Sequence, residues 1–361
     1  MISAENLPKM AAAGAAQVAA PAPGKRRGRP ETLHRRDPLT GWLFAAPSVL
    51  GLAVFLVLPM ILTLWVSFRD WSGLGSPFDS AFNGLSNYRE LLTEEGLRRK
   101  DFATSIRNTF YYVLIVVPVQ TVLAMFLAFL VNQKFLRGRS GFRTLLYFPS
   151  VTASIAITLI WMVLFRPSGL VNRILPIGTI DWFDEPNGLV HNLLGVVGID
   201  KAPSWAKGEV FELSWWEWFS GPSVSMFAIM LMTIWTTSGT MMLIFLGGLQ
   251  NISPDVEEAA AIDGATWFKR FRLVVVPMLR PQIYLAVTLG IIGTWQVFDQ
   301  IYASNAGGPQ KTTLTPAFLI YDQAFNNSKA GLAATTAVLL FIIILIFTWI
   351  QRRVTGTSEA K

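Results

Sequence analysis

Six stretches of the chain are dominated by apolar side chains and contain almost no charged residues. Each is about 20 residues long, which is enough for a helix to cross a hydrocarbon core of about 30 Å. Polar segments separate the stretches. The pattern therefore predicts six membrane-crossing helices, near 42–66, 108–133, 144–165, 224–247, 281–298 and 330–351.

Composition supports the same class of protein. The 361 residues are 52% hydrophobic and only 15% charged, whereas soluble domains are about a quarter charged. We therefore predict an all-α, polytopic membrane helix bundle. The chain has no cysteine, which excludes disulfides, cysteine-ligated zinc and thiol nucleophiles. The two histidines, His34 and His191, are too far apart in sequence to suggest a metal site.

Lysine and arginine counts predict the orientation. Residues 1–41, 132–144, 248–282 and 352–361 together carry 18 basic and 8 acidic residues. The alternate segments, 68–107, 166–223 and 301–329, carry 12 basic and 14 acidic residues. The more basic side should be cytoplasmic, which places both termini there.

These assignments divide the chain into three parts. Residues 1–37 are rich in Ala and Pro and then basic, which predicts a disordered cytoplasmic tail. A basic tail can bind nucleic acid, but contact with anionic membrane lipid is favoured. Residues 38–353 form the membrane domain, with a long outer loop at 166–223 and a cytoplasmic loop at 248–280, and residues 354–361 form a second tail. An aromatic cluster, Trp215–Phe219, lies near the end of the outer loop. It is more typical of an interfacial belt than of a partner site.

The cytoplasmic loop has the pattern of two helices joined by a glycine. Ser253 and Pro254 can begin the first helix, and Gly264 suits a left-handed end. Thr266 can cap the second helix, and Pro277 should mark the bend into the fifth span. Three alanines give the first helix a smooth face beside an acidic edge, which favours a docking surface over an ordinary loop helix.

The same loop resembles the EAA motif of ATP-binding-cassette importer permeases. In that motif Glu-Ala-Ala, three residues, Gly, nine residues and Ile-x-Leu-Pro follow in order. Here Glu258, Ala259, Ala260, Gly264 and Pro277 match it. Two positions differ conservatively, since Val274 and Val276 replace Ile and Leu.

Further matches, within residues 40–353, resemble the sugar and glycerol-phosphate branch of these permeases. They lie at the starts and ends of predicted spans or in the connection that follows: Asn108–Phe110, Gly141–Pro149, Trp161–Phe165, Gly169–Asn172, Trp295–Asp299 and Gly307–Pro309. The resemblance implies a binding-protein-dependent importer in a bacterial-type inner membrane. It does not cover the first tail, and the outer loop is longer than usual.

The resemblance also implies the partners. A second permease subunit, a dimer of ATPase subunits and an outer-side solute-binding protein would complete the assembly, with a sugar or polyol as cargo. Residues of the loop would couple to the ATPase: Glu258, Ala259, Ala260, Asp263, Gly264 and Pro277. The chain contains no Gly-x-x-x-x-Gly-Lys-Ser/Thr motif, so this subunit is not expected to be an enzyme. ATP and Mg²⁺ are expected on the partner ATPase.

Polar groups within the spans are candidates for the translocation path, because hydrocarbon makes them costly. They are Asn108, Gln120, Trp161, Thr233, Thr236, Thr237, Trp295, Gln296 and Asp299. Each has a plain structural alternative as a bond between helices or an interfacial ring.

Three other functions stay open at this point. A cassette importer could carry amino acids or oxyanions. Carriage of an anion would favour basic groups inside the spans, and there are none in 108–133, 144–165, 281–298 or 330–351. An ion-coupled secondary transporter should show buried carboxylates and broken-helix repeats, and Asp299 alone is weak support. A membrane enzyme would need a catalytic pair, which no single span supplies.

Overall fold

The computed structural model describes residues 38–133, 138–175, 178–199 and 201–355. The tails predicted at 1–37 and beyond residue 355 lie outside this part of the chain. The described residues divide into two units, one ending at Val57 and one beginning at Leu58.

The first unit is a helix that carries apolar residues on all faces. It comprises α1 (Pro38–Leu52) and a π-helical turn (Ala53–Val57). Trp42, Phe44 and Phe55 are all exposed within the chain. A helix that is apolar all round requires a nonaqueous surrounding, either lipid or another protein.

The second unit is mostly helical. Its helices are α2 (Leu58–Val66), α3 (Ser86–Leu92), α4 (Leu97–Asn132), α5 (Arg139–Val151), α6 (Ser154–Leu164), α7 (Leu170–Ile174), α8 (Leu189–Val196), α9 (Trp215–Trp218), α10 (Val224–Gln250), α11 (Pro254–Ile262), α12 (Trp267–Arg270), α13 (Val276–Met278), α14 (Arg280–Trp295), α15 (Asp299–Ser304), α16 (Pro316–Tyr321) and α17 (Ala330–Thr355). Short 3₁₀ turns occur at Pro77–Asp79 and Ser204–Lys207, and π turns at Phe271–Val275 and Asp322–Asn326.

The prediction of an all-α fold needs a small correction. Two antiparallel pairs of two-residue strands are present, β1 (Arg69–Asp70) with β2 (Ala81–Phe82) and β3 (Glu209–Val210) with β4 (Leu213–Ser214). Both pairs lie in the connections between long helices, so the helical bundle itself is unaffected.

Four helices of the described chain are long and apolar enough to cross a membrane: Gly41–Val66, Leu97–Asn132, Val224–Gln250 and Ala330–Val354. Two bent helix pairs raise the number to six if each pair is one span. The predicted third and fifth spans are these bent pairs. Neither segment is a single continuous helix.

The third span breaks between α5 and α6 with a bend of 96°. Thr152 is extended there, and Ala153 is also non-helical, with φ −56° and ψ 126°. The Thr152 hydroxyl donates to the Phe148 carbonyl at 3.1 Å, and the Ser150 hydroxyl donates to the Tyr147 carbonyl at 2.6 Å. Side-chain hydroxyls thus donate hydrogen bonds to backbone carbonyls near the break, as those of Ser and Thr commonly do.

The fifth span bends by 67° between the Trp267–Met278 segment and α14. The bend is at Leu279, two residues after the predicted position at Pro277. Pro281 lies in the first turn of α14 and has no N–H to donate to the Pro277 carbonyl. The bend is therefore a consequence of two prolines spaced by one turn.

Helix α4 begins 11 residues before the predicted start of the second span, at Leu97 rather than residue 108. Its first part includes Arg98, Arg99, Lys100 and Asp101. These charges mark the edge of the apolar region, but they do not end the helix.

Helix α10 is at the centre of the second unit. It packs along α4 and α5, while α14 packs on α4 and α17, and α17 packs on α2. One buried cluster contains Phe245 and Leu249 of α10 with Leu279. A larger one surrounds the other half of α10, including Met226 and Met230. The bundle therefore positions residues of α4, α10 and α14 side by side.

The segment 166–223 is folded on itself. The ring of His191 stacks on Trp216 with centroids 4.1 Å apart, and its Nε2 lies 3.1 Å from the Trp216 carbonyl oxygen. Partial burial lowers the pKa of His191 below its usual 6.5. The folded segment therefore favours the neutral imidazole.

This pKa predicts that the segment loosens in acid. Below about pH 6.5 the unfolded segment binds a proton that the folded one resists, so stability falls as pH decreases. We expect amide exchange in α8, corrected for its intrinsic pH dependence, to accelerate at about pH 5.5 relative to pH 7.5. His191→Phe should remove the difference. Equal protection of the wild type at both pH values would contradict the prediction.

Candidate functional site

A polar stripe on α10 forms the wall of a cavity. Thr233, Thr236, Thr237 and Thr240 follow the i, i+3, i+4, i+7 spacing and so share one face of the helix. Two adjoining cavities, of about 270 Å³ and about 280 Å³, lie against this face. Both are lined by Thr237, Met241 and Gln300.

The first cavity lies between α4, α10 and α14. Its lining is mainly polar groups and glycines with a few apolar side chains: Tyr112, Gln120, Thr233, Thr237, Met241, Leu289, Gly290, Gly293, Thr294, Gln296, Val297, Phe298, Asp299 and Gln300.

Gln120 of α4 lines this cavity and contacts both α10 and α14. Its side chain is 1% exposed, and the Thr237 hydroxyl donates to its Oε1 at 2.6 Å. A Cβ on Gly290 would lie 2.6 Å from its Nε2. The absence of a side chain at Gly290 therefore makes room for the Gln120 amide.

A second polar bond holds the same wall. The Tyr112 hydroxyl is 2.5 Å from the Thr233 hydroxyl, and Tyr112 is fully buried. Buried hydrogen bonds of this kind fix side chains in one arrangement. The cavity wall between α4 and α10 is thus preorganised.

The second cavity lies at the break in the third span. It is lined by Ser150, Thr152 and Ser154, which flank the bend, and by α10. The Ser154 hydroxyl has no hydrogen-bond partner among the described residues. The helix break therefore supplies hydroxyls, and backbone next to them, to the cavity wall.

One side of the two cavities is open. Thr240, Gly293, Gln296 and Asp299 are exposed in the isolated chain. Asp299 is the one charged side chain among the described lining residues of both cavities. The surface can hydrogen-bond a neutral polar ligand, and its open side leaves room for a second wall.

The structure brings together six of the nine candidate path residues. Gln120, Thr233, Thr237, Gln296 and Asp299 line the first cavity, and Thr236 lines the second.

The other three candidates lie elsewhere. Trp161 stacks on Phe165 at 4.8 Å. Trp295 is fully buried and its ring packs against Phe347 at 5.1 Å. Neither lines the two cavities, and a path role for them has no support in this arrangement.

Asn108 is a structural anchor. Its Nδ2 donates to the carbonyls of Lys311 and Leu314, both at 3.0 Å, and its Oδ1 accepts from Arg107 Nη2 at 2.9 Å. Asn108 is buried and lies outside both cavities. Its amide fixes the 311–314 turn to α4.

Replacing Asn108 should therefore cost stability. Asn108→Ala removes the amide donor from the buried Leu314 carbonyl and one of the two donors to the Lys311 carbonyl, which should destabilise the fold by about 1–3 kcal/mol. Thermal unfolding in detergent measures the loss, and Asn192→Ala, at an exposed position of α8, is the control. An unchanged unfolding temperature with weakened solute binding would instead place Asn108 in the path.

Several cavity residues were not predicted. Thr240 could have been found, because it continues the spacing of Thr233 and Thr237. Ser150, Thr152 and Ser154 could not, because their role depends on a helix break that the apolar run does not reveal. Tyr112, Gly290 and Gln300 become cavity residues only through the packing of α14 on α4.

The loop between α10 and α14 has the predicted helix–glycine–helix form. Ser253 caps α11, its hydroxyl accepting from the Asp255 N–H. Gly264 is left-handed, with φ +75°. The N–H groups of Gly264 and Ala265 donate to the carbonyls of Ala261 and Ala260 at 3.1 and 3.0 Å, which is a Schellman ending.

The coupling candidates lie on an exposed surface. Glu258, Ala259, Asp263 and Gly264 are exposed, Ala260 and Pro277 are half-buried. Ile262, at the end of α11, is 86% exposed. A helix with an uncovered isoleucine and a smooth alanine face suits contact with another protein. The coupling role of these residues stays a prediction.

The second helix of the loop is tied to α4 by aromatic rings. Phe129 of α4 packs edge-on against Trp267 at 5.5 Å and Phe271 at 5.4 Å. Thr266 occupies the cap position, but its side chain makes no capping bond, contrary to the prediction. The aromatic rings therefore pack the second helix of the loop directly against α4.

Two glycines of α10 allow neighbouring segments to approach the helix closely. A Cβ on Gly239 would lie 2.4 Å from the Leu146 carbonyl oxygen, and one on Gly248 would lie 2.7 Å from Gln282 Cδ. Gly247, by contrast, has no atom within 4 Å of such a Cβ.

The chain is similar to known transport proteins over most of its length. The sequence model of the family described as "binding-protein-dependent transport system inner membrane component" matches residues 91–356.

Individual relatives cover nearly the whole chain. YesP of Bacillus subtilis, described as a probable ABC transporter permease protein, is 30% identical over 88% of this chain and 90% of its own length. The lactose transport system permease protein LacF of Rhizobium radiobacter is 29% identical over 89% of this chain and 95% of LacF. The trehalose/maltose transport system permease protein MalF of Thermococcus litoralis has the same identity and coverage.

Solved structures share the fold. A chain of a bacterial ABC transporter that imports the acidic polysaccharide alginate superposes with a TM-score of 0.62 at 19% identity, covering 90% of this chain and 98% of that one. The alginate transporter in complex with an alginate pentasaccharide-bound periplasmic protein gives 0.65 at 17% identity, covering 89% and 98%.

Proposed function

The chain belongs to the family of binding-protein-dependent transport system inner membrane components, and from this membership we propose that it is half of the translocation path of an ATP-driven sugar importer. The resemblance drawn from the Glu258 loop and the span motifs is confirmed. The chain is a multi-pass inner-membrane transport component. This membership leaves the ion-coupled carrier and the membrane enzyme without support.

The proposed topology has six spans. Each bent pair counts as one crossing, so that α5–α6 is the third span and the Trp267–Trp295 segment contains the fifth. Both termini and the loop 248–280 then face the cytoplasm, and the loop 166–223 faces outward. The uneven distribution of basic residues supports this arrangement.

The loop is proposed to couple the chain to a separate ATPase dimer, on which ATP and Mg²⁺ bind. Glu258, Ala259, Ala260, Asp263 and Gly264 would contact the ATPase, and Pro277 would pass the movement to the fifth span. The exposed α11 and the aromatic tie to Phe129 support this role. The chain itself would hydrolyse no ATP.

A second permease subunit is proposed to close the open side of the two cavities, and an outer solute-binding protein to deliver the cargo. The exposed Gln296, Thr240 and Gly293 support this arrangement, because a path between two subunits needs a polar surface at the edge of each.

The cargo is proposed to be a neutral sugar or oligosaccharide. The observation that carries this is the lining of the two cavities, which combines threonine, serine and glutamine groups with Tyr112 and Phe298 and includes no lysine or arginine among the described residues. Hydroxyl and amide groups can hydrogen-bond to sugar hydroxyls. The carboxylate of a uronate would find no positive side chain in this lining, and the negative Asp299 would repel it.

Transport by the complete assembly tests this proposal. The tagged chain should co-purify with an ATPase and a second permease, and vesicles that hold the assembly with its binding protein should accumulate a neutral oligosaccharide on ATP addition. Alginate oligosaccharides should not be accumulated. Recovery of the chain alone, or transport of uronates and not of neutral sugars, would contradict the proposal.

A further inference from the structure

A third cavity lies where the loop meets the ends of the spans. Its volume is about 750 Å³, and it is separate from the two cavities described above. Arg139 and Arg143 of α5 and Arg270 of α12 line it, together with the aromatic cluster of Phe129, Trp267 and Phe271. It therefore combines positive charge with an apolar wall.

The three arginines have no ion-pair partner in the part of the chain that the structure describes. Among the described residues, no carboxylate lies within ion-pair distance of Arg139, Arg143 or Arg270. All three are half-buried, and the Nε atoms of Arg143 and Arg270 are buried without a hydrogen-bond acceptor. Buried guanidinium groups without an anion are costly, so the cavity is suited to a negatively charged ligand.

The walls narrow the choice of ligand. Leu249 and Val275 add to the three aromatic rings on the apolar side. A free phosphate ion would pair with the arginines and leave this side uncovered. A phospholipid would cover both, because its phosphate can pair with guanidinium groups and its chains can lie on the apolar side.

We infer that this cavity binds the phosphate group of an anionic phospholipid of the cytoplasmic leaflet. The orientation proposed above places the cavity at that leaflet. The site joins α5, the end of α4, the end of α10 and the loop helix α12. A bound lipid would therefore hold the loop against the second and third spans.

Lipid retention by the intact assembly tests the inference. The assembly is reconstituted in nanodiscs of phosphatidylcholine with a minor fraction of phosphatidylglycerol, released into mild detergent, and examined by native mass spectrometry. We expect phosphatidylglycerol to be retained in preference to phosphatidylcholine. The double variant Arg143→Gln/Arg270→Gln should retain at least about tenfold less phosphatidylglycerol than the wild type, as expected when two basic contacts to an anionic lipid are removed.

A matched control removes the same charge outside the cavity. Lys269 and Arg272 are exposed neighbours of Arg270 and do not line the cavity. Lys269→Gln/Arg272→Gln should therefore retain phosphatidylglycerol like the wild type. Equal loss in both double variants would reduce the effect to general surface charge and overturn the site.

Inorganic phosphate distinguishes the two sources of the anion. Phosphate at about 10 mM should leave lipid retention unchanged if the apolar wall contributes to binding. Displacement of the lipid by phosphate alone, or equal retention of both lipids by the wild type, would overturn the inference. Retention requires no transport, so the result stands whether or not the proposed cargo is correct.

Discussion

Gly264→Val is expected to lower ATP-driven transport by at least about tenfold while the chain still inserts in the membrane. Gly264 has φ +75°, where a side chain costs roughly 1–2 kcal/mol, and a β-branched residue is among the least suited. The change would break the two hydrogen bonds that end α11 and redirect the chain into α12. Because a free-energy change of about 1.4 kcal/mol is tenfold in a population, the docking geometry of α11 would be depleted.

The measurement is uptake by vesicles that contain the assembly, together with the amount of ATPase that co-purifies. No atom lies within 4 Å of a Cβ at Gly264, so the effect is one of backbone conformation rather than a clash. Gly264→Asn is the matched control, because asparagine tolerates the left-handed region. It should retain most of the transport. Wild-type uptake by Gly264→Val would remove the coupling assignment.

Gly290→Leu is expected to abolish solute transport by filling the first cavity. A Cβ at this position would lie 2.6 Å from Gln120 Nε2 and 3.3 Å from Val117 Cγ1. The larger side chain must displace the Gln120 amide, and with it the 2.6 Å bond to Thr237. Overpacking a filled interior also costs about 1–3 kcal/mol, so some loss of thermal stability is expected.

Two measurements separate blocked transport from misfolding. The Gly290→Leu assembly should still contain the ATPase, because the substitution leaves every residue of the loop 248–280 unchanged. Vesicle uptake should fall by at least about tenfold relative to Gly247→Leu, in which a Cβ meets no atom within 4 Å. Uptake by Gly290→Leu at the control level would show that the cavity between α4, α10 and α14 is not the path.

The predicted and observed helices agree where composition alone decides. Apolar runs located the long helices Gly41–Val66, Val224–Gln250 and Ala330–Val354 within a few residues, since a membrane span must be apolar along its length. Helix α4 differed because charge ends the apolar region without ending hydrogen bonding. The break at Thr152 was hidden, because a broken span is as apolar as a straight one, whereas Pro277 predicted the bend at Leu279 to within two residues.

Local chemistry was also sufficient for the loop. Ser253, Pro254 and Gly264 adopt the predicted conformations, because capping and the left-handed turn depend on neighbouring backbone groups. The exception is Thr266, whose hydroxyl makes no capping bond.

The sequence by itself determined the class of protein, the family and the form of the loop, since these depend on hydrophobicity, local hydrogen bonding and a short ordered motif. Only the tertiary structure decided which polar residues share a cavity. Gln120, Thr237 and Gly290 are far apart in sequence and meet because α4, α10 and α14 pack together. Asn108 and Trp295 also carry polar groups, but packing places Asn108 against the 311–314 turn and Trp295 against the ring of Phe347. A polar residue within a span can line a cavity or hold the structure together. Its neighbours in space determine which.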